Sequence, residues 1–113
     1  MQKTAKSNDI LWITFDLGVQ GDYEGLYRWL DAHGAQECGD NVAFLEKYEH
    51  SGDLLDCLRK DLEGSIETNQ KTRIYIIREV SGKPKGKFII GSRKRPPWTG
   101  YAPELVQEED HGA

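Results

Sequence analysis

The stretch that decides the fold is "ITFDLGVQGDYEGLY", Ile13–Tyr27, in which an apolar strand ends at a carboxylate and turns through glycines into a helix. Residues 10–17 are predicted to form the strand because β-branched, aromatic and other apolar side chains dominate them. Side chains along a strand point to alternate faces of the sheet. One face is uniformly apolar and is expected to meet the core: Leu11, Ile13, Phe15 and Leu17. The opposite face is mixed: Ile10, Trp12, Thr14 and Asp16.

Helix signals follow this strand and recur once. Asp22 is a helix-capping residue type, apolar side chains then repeat at helical spacing, and Gly34 predicts the end of the helix. A second apolar stripe at helical spacing is predicted to begin at Ser51 and end at Gly64.

Strand signals fill the rest of the chain. The turn residues 39–41, "GDN", predict a hairpin between "AQEC" and "VAFLEKY". Residues 72–80, "TRIYIIREV", predict a strand, 81–86 a turn and 87–92 a final strand. The order is β-α-β-β-α-β with an extra C-terminal strand, which predicts an α+β, ferredoxin-like sandwich with two helices on one face of an antiparallel sheet.

Length and composition indicate one domain. With 113 residues, we expect a flexible lead over 1–9, a single domain over 10–103 and a disordered acidic tail over 104–113. No apolar run approaches the roughly 20 residues needed to span a bilayer, and the N-terminus lacks the apolar core of a signal peptide. A cytoplasmic location without membrane contact is the expectation. Cys38 and Cys57 form no CxxC pair, so we expect reduced thiols rather than a zinc site.

Charge is distributed unevenly along the chain. The net charge is −4, yet residues 71–95 hold nine basic side chains and one acidic side chain. Such a segment suits a polyanion, and it also suits an exposed edge strand that must avoid aggregation. The predicted nucleic-acid contacts, to DNA or RNA, are Lys83, Lys85, Lys87, Arg93, Lys94 and Arg95.

Three short motifs resemble a known family. "FDL" (15–17), the helix start "DYEGLY" (22–27) and the closing Gly34–Ala35 resemble SinR-like proteins and the non-catalytic partner of the CRISPR spacer integrase. The resemblance implies a ferredoxin-like homodimer. Some CRISPR relatives are described as metal-dependent nucleases with the strand-end aspartate as ligand, and VapD-type RNA-cleaving toxins share the scaffold. The Lys/Arg-rich hairpin and the Pro-Pro-Trp segment depart from the family pattern.

Asp16 has two interpretations. Two copies of Asp16 brought together across a dimer axis could act catalytically by holding one Mg²⁺, a cation that prefers carboxylate and water oxygens. Alternatively, the carboxylate accepts hydrogen bonds from the backbone of the following turn, and no cofactor is required. The second interpretation is favoured because no other acid is fixed beside Asp16 in sequence.

A homodimer is predicted through the sheet face that the helices leave open. Alternation places four apolar side chains there: Ile10, Trp12, Tyr75 and Ile77. The segment 96–101 is the competing occupant of this face if it folds back over the sheet of its own chain, with Trp98 as a packed anchor; it could also pack on the partner subunit. Alternatively, Trp98 or Tyr101 could stack on an exposed base. Two function classes follow from the sequence: a nucleic-acid-binding or assembly module, and a metal-dependent endonuclease using Asp16.

Overall fold

The computed structural model describes residues 7–103, which form an α+β fold of five strands and two helices. In chain order the elements are β1 (Ser7–Asp16), α1 (Tyr23–Ala32), β2 (Gln36–Glu37), β3 (Val42–His50), α2 (Leu54–Ser65), β4 (Arg73–Val80) and β5 (Lys83–Ile90). All the strands belong to one antiparallel sheet. The predicted α+β class and the two helices are therefore confirmed.

The order of strands across the sheet is β2-β3-β1-β4-β5. β1 is central and pairs with β3 on one side and β4 on the other. β5 pairs with β4 of its own chain and forms one edge of the sheet. This five-strand order differs from that of a simple four-stranded ferredoxin-like sheet.

The core lies between the sheet and the two helices. The predicted inward face of β1 is buried, and so are Ile74 and Ile76 of β4. The helices complete the core with buried leucines, which are Leu26 and Leu30 on α1 and Leu54, Leu58 and Leu62 on α2. Apolar burial of this kind is the main driving force for folding, so this face of the sheet is where the stability originates.

A polar cluster joins both helices to β3 at the edge of the core. The Asp61 carboxylate accepts hydrogen bonds from the Trp29 indole at 3.1 Å and from the Tyr48 hydroxyl at 3.2 Å. Burial and the neighbouring Asp61 charge raise the pKa of Tyr48 well above its ordinary value. His33 stacks on the Trp29 ring, with 4.1 Å between ring centroids, and its Nδ1 lies 2.8 Å from the Trp29 carbonyl oxygen. His33 is therefore a packing residue at the end of α1.

β1 begins at Ser7, three residues before the predicted start at Ile10, so residues 7–9 belong to the sheet and not to the flexible lead. These residues pair with the end of β3, where the His50 Nε2 lies 2.6 Å from an Asp9 carboxylate oxygen. These contacts join residues far apart in the sequence: Asp9 and His50 are separated by 41 positions. Residues 1–6 and the predicted acidic tail, 104–113, lie outside the described residues.

The predicted cap of α1 is confirmed, and that of α2 is wrong by two residues. The Asp22 side chain accepts from the Gly25 amide at 2.9 Å, but α2 is capped by Asp53, which accepts from the Asp56 amide, and not by Ser51. A Cβ at Gly25 would collide with the Asp22 carboxylate and the Ser65 carbonyl, which explains a glycine inside a helix. Within residues 7–103 the helices are 10 and 12 residues long, and neither could span a bilayer.

The β4–β5 hairpin is longer than predicted. Its loop is only Ser81–Gly82, with φ values of 54° and 79°, and strand pairing resumes at Lys83. Positive φ at both loop residues is typical of a type I′ turn, which matches the twist of the flanking strands. Pro84 is tolerated because β5 is an edge strand, where a missing N–H breaks no inner ladder. The predicted turn over 81–86 is therefore wrong for residues 83–86, which extend the exposed edge strand.

Candidate functional site

One half of the sheet face opposite the helices, which we call the open face, is apolar. Ile10 and Trp12 of β1 are 54% and 40% exposed, and the Trp12 ring lies 4.9 Å from that of Phe44 on β3. Ile77 is the cross-strand partner of Trp12 on β4 and is partly exposed. We call these four residues the apolar half. The predicted position of Ile10, Trp12 and Ile77 on the open face is confirmed.

The other half of the open face is a cleft at the end of β1. Its volume is about 460 Å³. It is lined by Thr14, Phe15, Asp16, Asn41, Val42, Arg73, Tyr75, Phe88 and Arg93, and we call it the Arg73 cleft. The lining residues come from four strands, β1, β3, β4 and β5, and from the segments that follow β2 and β5.

Aromatic rings and arginines are stacked in the Arg73 cleft. The rings of Tyr75 and Phe88 meet edge to face, with 4.8 Å between their centroids. The Arg93 guanidinium lies 5.6 Å from both ring centroids, and the Arg73 guanidinium lies 5.9 Å from that of Phe88. These distances are within the range of cation–π attraction. Tyr75 thus lies on the open face as predicted, with its ring beneath Arg93.

Asp16 is held by a backbone amide and by a cation. One carboxylate oxygen accepts from the Gly18 amide at 3.2 Å, and the other lies 3.2 Å from an Arg73 guanidinium nitrogen. The Gly18 hydrogen bond and the Arg73 guanidinium hold the pKa of Asp16 below its ordinary value of 3.8. The predicted acceptance of a turn amide by Asp16 is confirmed. The partner Arg73 was not predicted.

The described residues bring no metal-ligand cluster to Asp16. Across residues 7–103, no three side chains of the His, Cys, Asp and Glu types lie close enough to hold a metal together. A single carboxylate that is already paired with a guanidinium does not provide enough ligands for Mg²⁺, because Mg²⁺ needs several oxygen ligands in octahedral geometry. Metal binding by Asp16 therefore depends on ligands from outside the described part of one chain.

The predicted basic residues separate onto two faces of the sheet. Lys85 and Lys87 lie opposite Arg78 and Ile76 in the β4–β5 ladder, and Ile76 is buried beneath the helices. Residues opposite each other in a ladder share a face, so the β5 lysines are on the helix side. Arg93 lies instead over the aromatic rings of the open face. The predicted nucleic-acid contacts therefore do not all lie on one surface.

The row on the helix side is accessible and carries four positive charges: Arg78, Lys83, Lys85 and Lys87. We call it the basic row. Its three lysines are exposed. Among residues 7–103, the basic row takes part in no ion pair within 4.0 Å, since these pairs are formed by other side chains: Arg28, His33, His50, Arg59 and Arg73. Lys87 also borders the start of α2, where Asp53 and Asp56 line the same depression.

Residues 96–101 do not cover the open face. Trp98 and Tyr101 are 71% and 84% exposed, so neither ring is packed against the sheet of its own chain. The predicted role of Trp98 as an anchor folded back over its own sheet is wrong. Residues 96–101 are closed by local turns instead, with the Tyr101 amide donating to the Trp98 carbonyl at 3.0 Å.

Phe88, Arg73 and Asn41 were missed as site residues by reasoning from the sequence. Alternation supplied a signal for Arg73, which is two residues before Tyr75 on β4 and therefore shares its face. The face of Phe88 follows only from the register of the β4–β5 ladder, in which Phe88 is the partner of Tyr75. Asn41 had no such signal, because it comes from a loop that only the folded chain brings to the end of β1: its carbonyl accepts from the Phe15 amide at 3.0 Å.

Comparison with protein-family models, curated proteins and solved structures gave no match to this chain. The family resemblance of the "FDL" and "DYEGLY" motifs therefore stays a prediction. What can be said about function rests on the geometry of the sheet faces.

Proposed function

We propose that this protein is a nucleic-acid-binding module whose main contact with the phosphate backbone is the basic row. The observation that carries this proposal is the alignment of three exposed lysines on one edge strand, outside the ion pairs of the described residues. Alternate residues on a strand recur at about 6.8 Å. The three lysines therefore extend over about 14 Å, a length over which their side chains can contact several phosphates of one strand.

The proposal includes a ferredoxin-like core extended by one strand. Without β5, the order β2-β3-β1-β4 and its antiparallel pairings follow the split βαβ arrangement, in which β3 lies between β1 and β2. β5 then widens this core at the β4 edge, and it is the strand that holds the lysines. This extension supports a role specific to a side branch of the family that the sequence motifs resemble.

The module is further proposed to be a homodimer joined through the apolar half. Ile10 and Trp12 are exposed on a sheet face that neither the helices nor residues 96–101 cover. A twofold axis is the commonest way to bury such a patch, because the same surface serves both partners. Dimerisation would also place two basic rows on one particle and increase its avidity for a long polyanion.

Salt dependence tests the role of the basic row directly. We expect affinity for duplex DNA to fall steeply with salt, because each phosphate contact contributes a slope of about −0.9 in log K against log salt. Replacing Lys83, Lys85 and Lys87 together with alanine should flatten the slope by up to about 2.7. The matched control removes three cations elsewhere, Arg28, Lys47 and Lys60, and should leave most of the slope in place. Equal slopes in the two triple variants would contradict the proposal.

The endonuclease alternative makes a separate prediction. Cleavage by a shared Mg²⁺ would require Asp16 to exchange its Arg73 partner for the metal. The test incubates single-stranded and duplex DNA and RNA with the protein and Mg²⁺, with and without a chelator. Chelator-sensitive cleavage that disappears in Asp16→Asn would establish the nuclease. Binding without cleavage would support the module.

A further inference from the structure

The Arg73 cleft lies at the opposite end of the open face from Ile10. Asp16 is six positions after Ile10 and four after Trp12 along β1, which is about 20 Å and about 13 Å at about 3.3 Å per residue. A dimer contact centred on Ile10 and Trp12 therefore leaves room for a second ligand at the cleft. The basic row lies on the other side of the sheet, so the cleft is also separate from the surface assigned to the phosphate backbone.

The chemistry of the cleft selects a flat and negatively charged ligand. Its floor is the Tyr75–Phe88 ring pair, and the Arg93 guanidinium lies over both rings. Aromatic rings and guanidinium planes are the surfaces on which unstacked bases lie in proteins that bind single strands. The volume of about 460 Å³ suits a small molecule or one nucleotide and is too small for a duplex.

The rim of the cleft adds positive charge and hydrogen-bonding groups. Arg73 is held in place by Asp16 at 3.2 Å, so its guanidinium is oriented before any ligand arrives. Thr14 and Asn41 line the cleft and can donate to or accept from the edge of a base. Two guanidinium groups, those of Arg73 and Arg93, against the one carboxylate of Asp16 leave the site net positive.

We propose that the Arg73 cleft binds one unpaired nucleotide of a single-stranded nucleic acid. The base lies against the Phe88, Tyr75 and Arg93 group, and Arg73 binds the phosphate. This inference rests on the proposed function and names its preferred substrate: a strand with an accessible single-stranded segment. A duplex can bind the basic row but cannot deliver a base to the cleft.

The test measures fluorescence anisotropy of a labelled ten-nucleotide DNA, as a single strand and as a blunt duplex. Stacking on one ring is worth about 1–3 kcal/mol, so Phe88→Leu should weaken binding of the single strand by about tenfold and leave the duplex unchanged. Tyr27→Leu, which removes an exposed ring from α1, away from the open face, is the control. Arg93→Lys keeps the charge but loses the planar group, and it should weaken single-strand binding as well.

Each outcome decides the question. Equal affinity of wild type and both cleft variants for the single strand overturns the cleft assignment, and salt-dependent duplex binding would still support the proposed function. If the wild type binds neither the single strand nor the duplex, both proposals are wrong. If adenosine monophosphate alone binds the cleft as tightly as the strand does, the ligand is a free nucleotide and the assignment to a strand is wrong. If an acidic peptide competes as well as the single strand does, the base is not being recognised.

Discussion

The two faces of β1 and β4 differ although they are built from adjacent residues of the same strands. On the helix side, Ile76 is buried with the inward residues of β1, and the chain closes this surface by itself. On the other side, Ile77 and its cross-strand partner Trp12 remain partly or largely exposed. The comparison shows that one face is buried and stabilises the monomer, whereas the other stays exposed within the described residues and is the face through which we propose dimerisation.

A substitution on each face of β4 gives the largest expected difference. Ile76→Ala should reduce the free energy of unfolding by about 2–5 kcal/mol, because it leaves a cavity in the core. Ile77→Ala, one residue further on, should cost only about 1 kcal/mol in the monomer. Urea unfolding at low protein concentration measures both. Equal reductions in the free energy of unfolding for the two variants would contradict a difference in burial between the two faces.

The second prediction concerns association through the apolar half. Trp12→Ala should weaken the dimer by about 2 kcal/mol or more, roughly thirtyfold in dissociation constant, because a central tryptophan is a typical hot-spot residue. Sedimentation at micromolar concentration measures the shift from twice the chain mass toward 12.9 kDa.

Tyr27→Ala is the control for Trp12→Ala, because Tyr27 is a comparably exposed aromatic residue on α1, away from the open face. It should leave the mass of the particle unchanged. A wild-type protein that sediments as a monomer would refute the dimer and leave the apolar half unexplained.

The third prediction addresses the floor of the Arg73 cleft. A Cβ added at Gly86 would collide with the hydroxyl and ring of Tyr75, which lies across this glycine. Gly86→Ala should therefore displace the Tyr75 ring and cost about 1 kcal/mol. Ring-current shifts of Phe88 in NMR spectra report the movement. Gly64→Ala is the control, because an added Cβ there meets no atom within 4 Å, and it should not change the Phe88 signals.

The smallest expected effect is that of Asp16. Its pKa is lowered in the folded protein, so its contribution to stability is present above its unfolded value near 3.8 and is lost as the pH falls through the folded value. Since the side chain is half exposed, Asp16→Asn should cost under about 1 kcal/mol at pH 7. The variant should also lose less stability than wild type between pH 5 and pH 2. A large loss at neutral pH would mean that Asp16 does more than hold its turn and Arg73.

Local patterns were sufficient to predict the type and order of the helices and strands and the two faces of the central strands. The period of two in residues 10–17 and 73–80 assigns each side chain to a face, because the pleat of a strand forces alternation whatever the partner strand is. The Asp22 cap was also predictable, since capping involves only the three following residues. The Ser81–Gly82 turn carried a local signal, but Pro84 and Gly86 concealed the strand that continues beyond it.

Long-range packing decided what local patterns could not. The glycine inside α1 is explained only by the Ser65 carbonyl of the other helix, and the early start of β1 only by His50 at the end of β3. The side of the sheet on which each basic residue lies depends on the register of the β4–β5 ladder, since a shift of one residue would exchange the faces. By itself the sequence determined that this protein has a covered face, an open face and a basic segment. Only the tertiary structure joined Arg73, Phe88 and Arg93 into one cleft, because these residues meet through pairing and packing between strands and not through spacing along the chain.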